Sequence, residues 1–146
     1  MKRTWPALVA GAALGAAGMA FAHAHHHDAH DGESVRPLAR YELREKLDDQ
    51  PAAASVVEVT IEPGQAGLPH RHPGPAIVYV LEGEYELGID DQPTKIFKAG
   101  ETFCEPAGCL HRVSKNPGKT EKTRLIAVVL HAQEAKEIAT PEAAAH

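Results

Sequence analysis

The sequence predicts an all-β domain, in the form of a sandwich, jelly roll or small barrel, on three observations. Apolar residues between Ser55 and His131 recur with period two or in brief continuous runs. Gly, Pro and Asp end almost every such stretch. No segment of this central body carries an amphipathic helical period.

In chain order, Ser55 to Glu62 sets Val57, Val59 and Ile61 against Glu58, Thr60 and Glu62, a half-buried strand stopped by Pro63-Gly64. Ala76 to Leu81 is a continuous apolar run ended by Glu82-Gly83. Tyr85, Leu87 and Ile89 then alternate with Glu84, Glu86 and Gly88, and Asp90-Asp91-Gln92-Pro93 turns the chain. Short strands are expected at Lys95 to Lys98, Glu101 to Glu105 and Leu110 to Ser114, each bounded by Gly or Pro. Thr123 to His131 closes the set around the run Leu125 to Leu130. Ahead of these, Val35 to Pro51 is mixed and charged, with Tyr41, Leu43 and Leu47 as expected core contacts. Beyond Gln133 the chain is rich in Ala and Glu and broken by Pro141, a composition that suggests a frayed helix or a loose tail.

The N-terminus has a different character. Lys2 and Arg3 precede an uncharged stretch from Trp5 to Ala22, mostly Ala and Gly, which ends in the small-x-small patterns Ala20-Phe21-Ala22 and Ala22-His23-Ala24. This is the composition of a cleaved export signal, too diluted by small residues for a spanning helix. Cleavage after Ala22 or Ala24 would release a soluble protein into the periplasm or medium of a bacterium, with no stable membrane anchor. The expected organisation is a signal over residues 1–24, a flexible His-rich tail over 25–34, one domain over 35–132 and a C-terminal tail over 133–146. Roughly 120 mature residues suffice for one core and not for two.

With 20 acidic against 15 basic residues, the formal charge of −5 does not suggest a nucleic-acid or anionic-membrane partner. The local cluster Lys115, Lys119, Lys122 and Arg124 surrounds Asn116-Pro117-Gly118 and is expected to be a solvated hairpin loop. Cys104 and Cys109 leave two alternatives in an oxidising compartment: a disulfide across the Pro106-Ala107-Gly108 turn, or two small buried hydrophobes.

The residues that carry chemistry are histidines. His70 and His72, two apart on a strand, aim both imidazoles at one point while Arg71 faces away; His111 follows a Pro-Ala-Gly turn and is expected at the same mouth. Neutral imidazoles suit Zn, Fe, Ni and Cu. The spacing Gly64-x5-His70-x-His72 with Gly83, followed by Gly100-x5-Pro106-x-Gly108-x2-His111, resembles the two motifs of the cupin family: eight positions over 48 residues. The resemblance implies a jelly-roll β-barrel (a double-stranded β-helix) holding one divalent transition metal, Fe, Mn, Zn, Ni or Cu, on His70, His72 and His111, and chains that pair as homodimers.

One position departs from the family pattern, since the glutamate ligand usual after the second histidine is here Ala76. Three neutral histidines leave a metal its full double positive charge and favour an anionic ligand. Glu105 is the nearest alternative carboxylate. It is expected to face solvent, with a fourth-ligand role or a hydrogen bond to an imidazole as the alternatives. Tyr79 and Cys104 are weaker pocket candidates. The tail histidines His23, His25, His26, His27 and His30 form a second candidate site: either cleavage places a histidine third from the free amine, a nitrogen set suited to Cu(II) or Ni(II).

Two function classes follow. One is a metal-dependent, dioxygenase-like oxidoreductase acting on a small anionic or enolisable molecule. The other is a non-catalytic protein that binds a metal or metabolite outside the cell. Fold alone does not separate them.

Overall fold

The computed structural model describes residues 32–142. The expected signal and the histidine tail through Asp31 lie outside the described residues. Ten strands are found among the described residues, and no helix there is long and apolar enough to cross a membrane. They are β1 (Glu33–Leu47), β2 (Gln50–Ile61), β3 (His70–Arg71), β4 (Ala76–Glu82), β5 (Glu84–Ile89), β6 (Lys95–Lys98), β7 (Thr102–Glu105), β8 (His111–Lys115), β9 (Thr123–Ala132) and β10 (Thr140–Pro141).

All pairings are antiparallel and form two five-stranded sheets, β1-β2-β9-β4-β7 and β10-β3-β8-β5-β6. This is the jelly-roll architecture that the family resemblance implied. Alternation decides what faces inward. In β9, Thr123, Leu125, Ala127, Val129 and His131 are buried while the residues between them are half-exposed; in β4, Ala76, Val78 and Val80 point in and Ile77, Tyr79 and Leu81 point out.

The core forms where the two inner faces meet, around Val57, Ile61, Val78, Val80, Tyr85, Leu87, Leu125 and Ala127. The Tyr85 ring lies parallel to Phe103 at 5.5 Å, and Phe103 in turn meets Phe97 at 4.5 Å. These rings join the two sheets through large buried areas. On the outer face of the first sheet, Glu58 binds Arg36 and Arg124, and Arg124 also reaches Glu82, so one ionic ladder crosses β1, β2, β9 and β4. Glu58 at its centre is nearly covered, but both arginines and Glu82 are solvent-exposed, so the ladder fixes register more than it adds stability.

The β4–β5 turn depends on Gly83, whose φ of +74° and close approach to the Lys122 carbonyl leave no room for a side chain. The loop after β8 is built on Asn116, whose buried side-chain amide donates to the carbonyls of Ile61 and Glu121. Lys122 pairs with Glu62 and Arg124 with Glu58, so these two residues of the basic cluster are held in surface ion pairs.

Several expectations require correction. The first strand begins at Glu33 and runs through the mixed, charged segment to which no strand was assigned. Tyr41 in it is 59% exposed and is no core residue, because β1 is an edge strand lying mostly outside the sandwich. As far as Glu142, where the described residues end, the chain after Gln133 is neither helical nor loose: it returns to the second sheet as β10, pairing Thr140 with Arg71 and Pro141 with His70. Cys104 and Cys109 are unpaired thiols, and Cys104 is exposed rather than buried.

Candidate metal centre

Three elements bring the site together at one end of the sandwich. β3 carries His70 opposite His111 of β8, and the chain leaving β3 places His72 beside them. The position of His111 depends on an irregularity. Gly88 opposes Val113 but the next residue, Ile89, opposes His111, so Arg112 is an extra residue in β8. This bulge resets the alternation and turns both His111 and Ser114 inward, where simple period two would send them to opposite faces. The displaced Arg112 donates to the carbonyls of Asp90 and Gln92.

The ligand atoms of His70, His72 and His111 lie within 4.8 Å of one another. His70 Nε2 is 3.2 Å from His72 Nε2 and 3.1 Å from His111 Nδ1. The outer nitrogens define the tautomers. His70 Nδ1 donates to the Leu68 carbonyl at 2.8 Å and His72 Nδ1 to the Ile138 carbonyl at 2.5 Å. His111 Nε2 donates to the Tyr85 hydroxyl at 3.1 Å, which passes its own proton to Ser114 Oγ at 3.0 Å. All three converging nitrogens therefore present lone pairs.

Glu105 supplies a fourth. It is 1% exposed, against the expectation that it faces solvent; Oε2 sits 3.2 Å from His72 Nε2 and 3.6 Å from His111 Nδ1 and completes no hydrogen bond. In β7 it is Cys104 that points out and Glu105 that points in, and Glu105 lies directly opposite Ala76 of β4. The carboxylate absent at Ala76 is thus present one strand away, on the same inward face.

Electrostatics follow from this crowding. Burial pushes His111 down to about 4 and also lowers His70, so both are neutral near pH 7. Burial would lower His72 as well, but the Glu105 carboxylate and the Ile138 carbonyl outweigh it and raise His72 above the usual histidine value. Burial would raise Glu105, yet His72 and the other two imidazoles hold it below the ordinary carboxylate range. A neutral His72 would set its Nε2 lone pair against the carboxylate, an arrangement relieved only by a cation, whether proton or metal. Three imidazole nitrogens, two of them on half-buried rings, and the buried Glu105 carboxylate oxygen, with no protein donor among them, fit a divalent first-row metal.

The other candidates separate. Tyr79 is 45% exposed on the outer face of β4, and Cys104 is exposed on the outer face of β7 beside it, so neither lines the site. His23, His25, His26, His27 and His30 lie outside the described residues. Tyr85 and Ile138 went unassigned in the sequence: alternation places Tyr85 inward, but its hydroxyl meets His111 only because of the bulge, and a backbone carbonyl leaves no sequence signal. Also unanticipated is the buried pair Ser55 Oγ and His131 Nε2, 2.8 Å apart on the inner face of the first sheet.

Comparison with known proteins places this geometry. Residues 57–129 match the family model described as a cupin domain. Germin-like protein subfamily 2 member 2 of Arabidopsis thaliana is 39% identical over 80 residues, 51% of this chain and 36% of that one. Among solved structures, an oxalate oxidase in complex with the substrate analogue glycolate aligns with a TM-score of 0.53 and 26% identity, over 74% of this chain and 53% of that chain. A cupin-like protein from Thermotoga maritima aligns with a TM-score of 0.54 and 22% identity, over 77% and 80%, a likeness of fold. The match takes in about a third of the germin-like relative and about half of the oxalate oxidase chain. With half its length matched by the family model and the motif histidines gathered at one end of a jelly roll, the chain belongs to the cupin family.

Proposed function

We propose that this chain holds one divalent transition metal on His70, His72, His111 and Glu105 and acts as a metal-dependent, dioxygenase-like oxidoreductase on a small anionic or enolisable molecule. The observation that carries the reading is the convergence of three imidazole nitrogens, each left free by the tautomer its outer nitrogen fixes, beside the buried, unsatisfied Glu105 carboxylate oxygen. Iron or manganese at these four donors supplies positive charge and electron exchange with dioxygen.

His70, His72, His111 and Glu105 would hold the metal, and an iron or manganese ion, which accepts more donors than zinc, would still have room for a small ligand. One carboxylate reduces the charge of the metal–ligand set to about +1, lower than three histidines alone would leave and still attractive to a carboxylate or enolate. The likeness to an oxalate oxidase holding glycolate supports a small carboxylate as the ligand class. The chain's own part is to hold the donors: Leu68, Ile138 and Tyr85 orient the imidazoles, and the surrounding sheets keep water from Glu105. The composition of residues 1–24 supports export.

Oxygen consumption and peroxide release by the iron- and manganese-loaded protein should be measured with oxalate, glycolate and a panel of enolisable diketones. Turnover with at least one of them, lost in His70→Ala/His72→Ala, is the expected result. A fully metallated protein inert towards all of them would favour a non-catalytic metal- or metabolite-binding role.

A further inference from the structure

The ten residues after β9 cross the end of the sandwich where the ligand atoms lie. The segment starts on the first sheet: Gln133 N donates to Pro51 O at 2.8 Å, its side-chain amide to Ala52 O at 3.2 Å, and Arg40 donates to Gln133 O at 2.7 Å. It ends on the second sheet, where β10 pairs with β3, the strand of His70, and Glu142 N donates to Pro69 O at 2.8 Å. Between these anchors the Ile138 side chain packs onto the core cluster and its carbonyl takes the His72 Nδ1 proton.

The two anchors differ in kind. The first continues a ten-residue strand, β9, embedded between β2 and β4. The second is a two-residue strand at a sheet edge, one of whose members, Pro141, has no N–H, together with the ion pair of Arg71 Nε and Glu142 Oε2 at 3.0 Å, each side chain 42% exposed. Exposed ion pairs of this kind hold weakly, and short edge pairings open readily. Arg71 also donates to Gly108 O at 2.8 Å, so its side chain ties the segment to the turn that leads into His111.

We propose that Gln133–Glu142 is a strap hinged at Gln133: closed, it positions His72 and covers the ligand set, and released at Glu142 it gives a metal and a small ligand their way in and out. This rests on the metal-site reading above. Ile138 is then a positioning residue, acting through His72.

The test uses the full mature chain in a Cys104→Ser/Cys109→Ser background. Arg71→Cys with Thr140→Cys joins two directly paired positions, whose Cα separation of about 4.5–5.5 Å suits a disulfide. Co(II) uptake and chelator-driven release are followed by visible absorbance, beside the Co(II) stoichiometry at equilibrium. The locked form should take up and release Co(II) at least tenfold more slowly, at unchanged stoichiometry, and recover on reduction by a phosphine. Glu142→Gln, which breaks only an exposed ion pair, should speed both rates severalfold, and this second variant serves if the locked form folds poorly. Rates unchanged in both variants at full stoichiometry would overturn the strap alone. A parent chain that binds no Co(II) would overturn the metal site and the strap with it.

Discussion

Glu105 determines the charge of the site. Its carboxylate is buried beside the imidazoles of His72 and His111, and in the metal-free chain a proton on His72 relieves the closer contact. Glu105→Gln replaces an acceptor with an amide that can donate to His72 Nε2. The metal-free variant should therefore melt at or above the temperature of the native chain in a chelator, while metal affinity falls by about 10–100-fold or more. A large loss of metal-free stability with affinity retained would mean that Glu105 is a structural group only. The same contacts set the pH response. Binding requires neutral imidazoles, and His72 is raised whereas His70 is lowered and His111 is pushed to about 4. As pH falls, His72 takes up its proton first, so affinity should drop by about tenfold per unit below its pKa and more steeply once His70 and His111 join. Titrations of metal affinity from pH 8 to 4 check this; an affinity flat down to pH 5 would contradict the assignment of His72 as a ligand.

At the scale of strands, the inner face of the first sheet presents a row of paired residues, Glu105, Ala76, Val129 and Ser55, across β7, β4, β9 and β2. Ala76 and Glu105 are neighbours across one strand pair, so a carboxylate at either position starts from adjacent points of one face. Ala76→Glu alone should destabilise the metal-free protein by crowding two carboxylates. Ala76→Glu with Glu105→Ala should regain much of the metal affinity that Glu105→Ala alone loses, as read by chelator competition. No recovery would mean that the β7 position is the only one from which a carboxylate reaches the imidazoles. Most strands were legible because period two and Gly or Pro boundaries are local: Lys95–Lys98 matches the expected strand, and β4, β7, β8 and β9 fall within a residue of theirs, whereas β2 starts at Gln50, five residues ahead of the expected Ser55. Side-chain facing was less legible. The inward turn of Glu105 depends on which β4 residue it pairs with, and that of His111 on the bulge at Arg112; neither is encoded in local alternation. For the same reason Tyr79 and Cys104 looked like pocket residues although they share an outer face.

Across the whole molecule, the fold and the three histidines were both readable from one chain because the motif glycines and prolines mark turns and the histidines between them are brought to a common end. What the sequence concealed were long-range contacts: the charged first strand at a sheet edge, and the C-terminal segment that returns over the site to bind Arg71 and His72. Because those contacts join both sheets to His70 and His72, the proposed metal binding and global stability should be linked. Saturation at 100 times the dissociation constant should add about 2.7 kcal/mol by mass action and raise the melting temperature; the same metal should leave His70→Ala/His72→Ala unmoved. The central claim is tested most directly by elemental analysis of tag-free protein lacking residues 1–22, beside a variant with His23, His25, His26, His27 and His30 changed to Ala and one with His70→Ala/His72→Ala. The account predicts about one transition metal per chain that survives loss of the tail histidines and disappears with His70 and His72. Metal that disappears with the tail and survives in the His70→Ala/His72→Ala protein would contradict it.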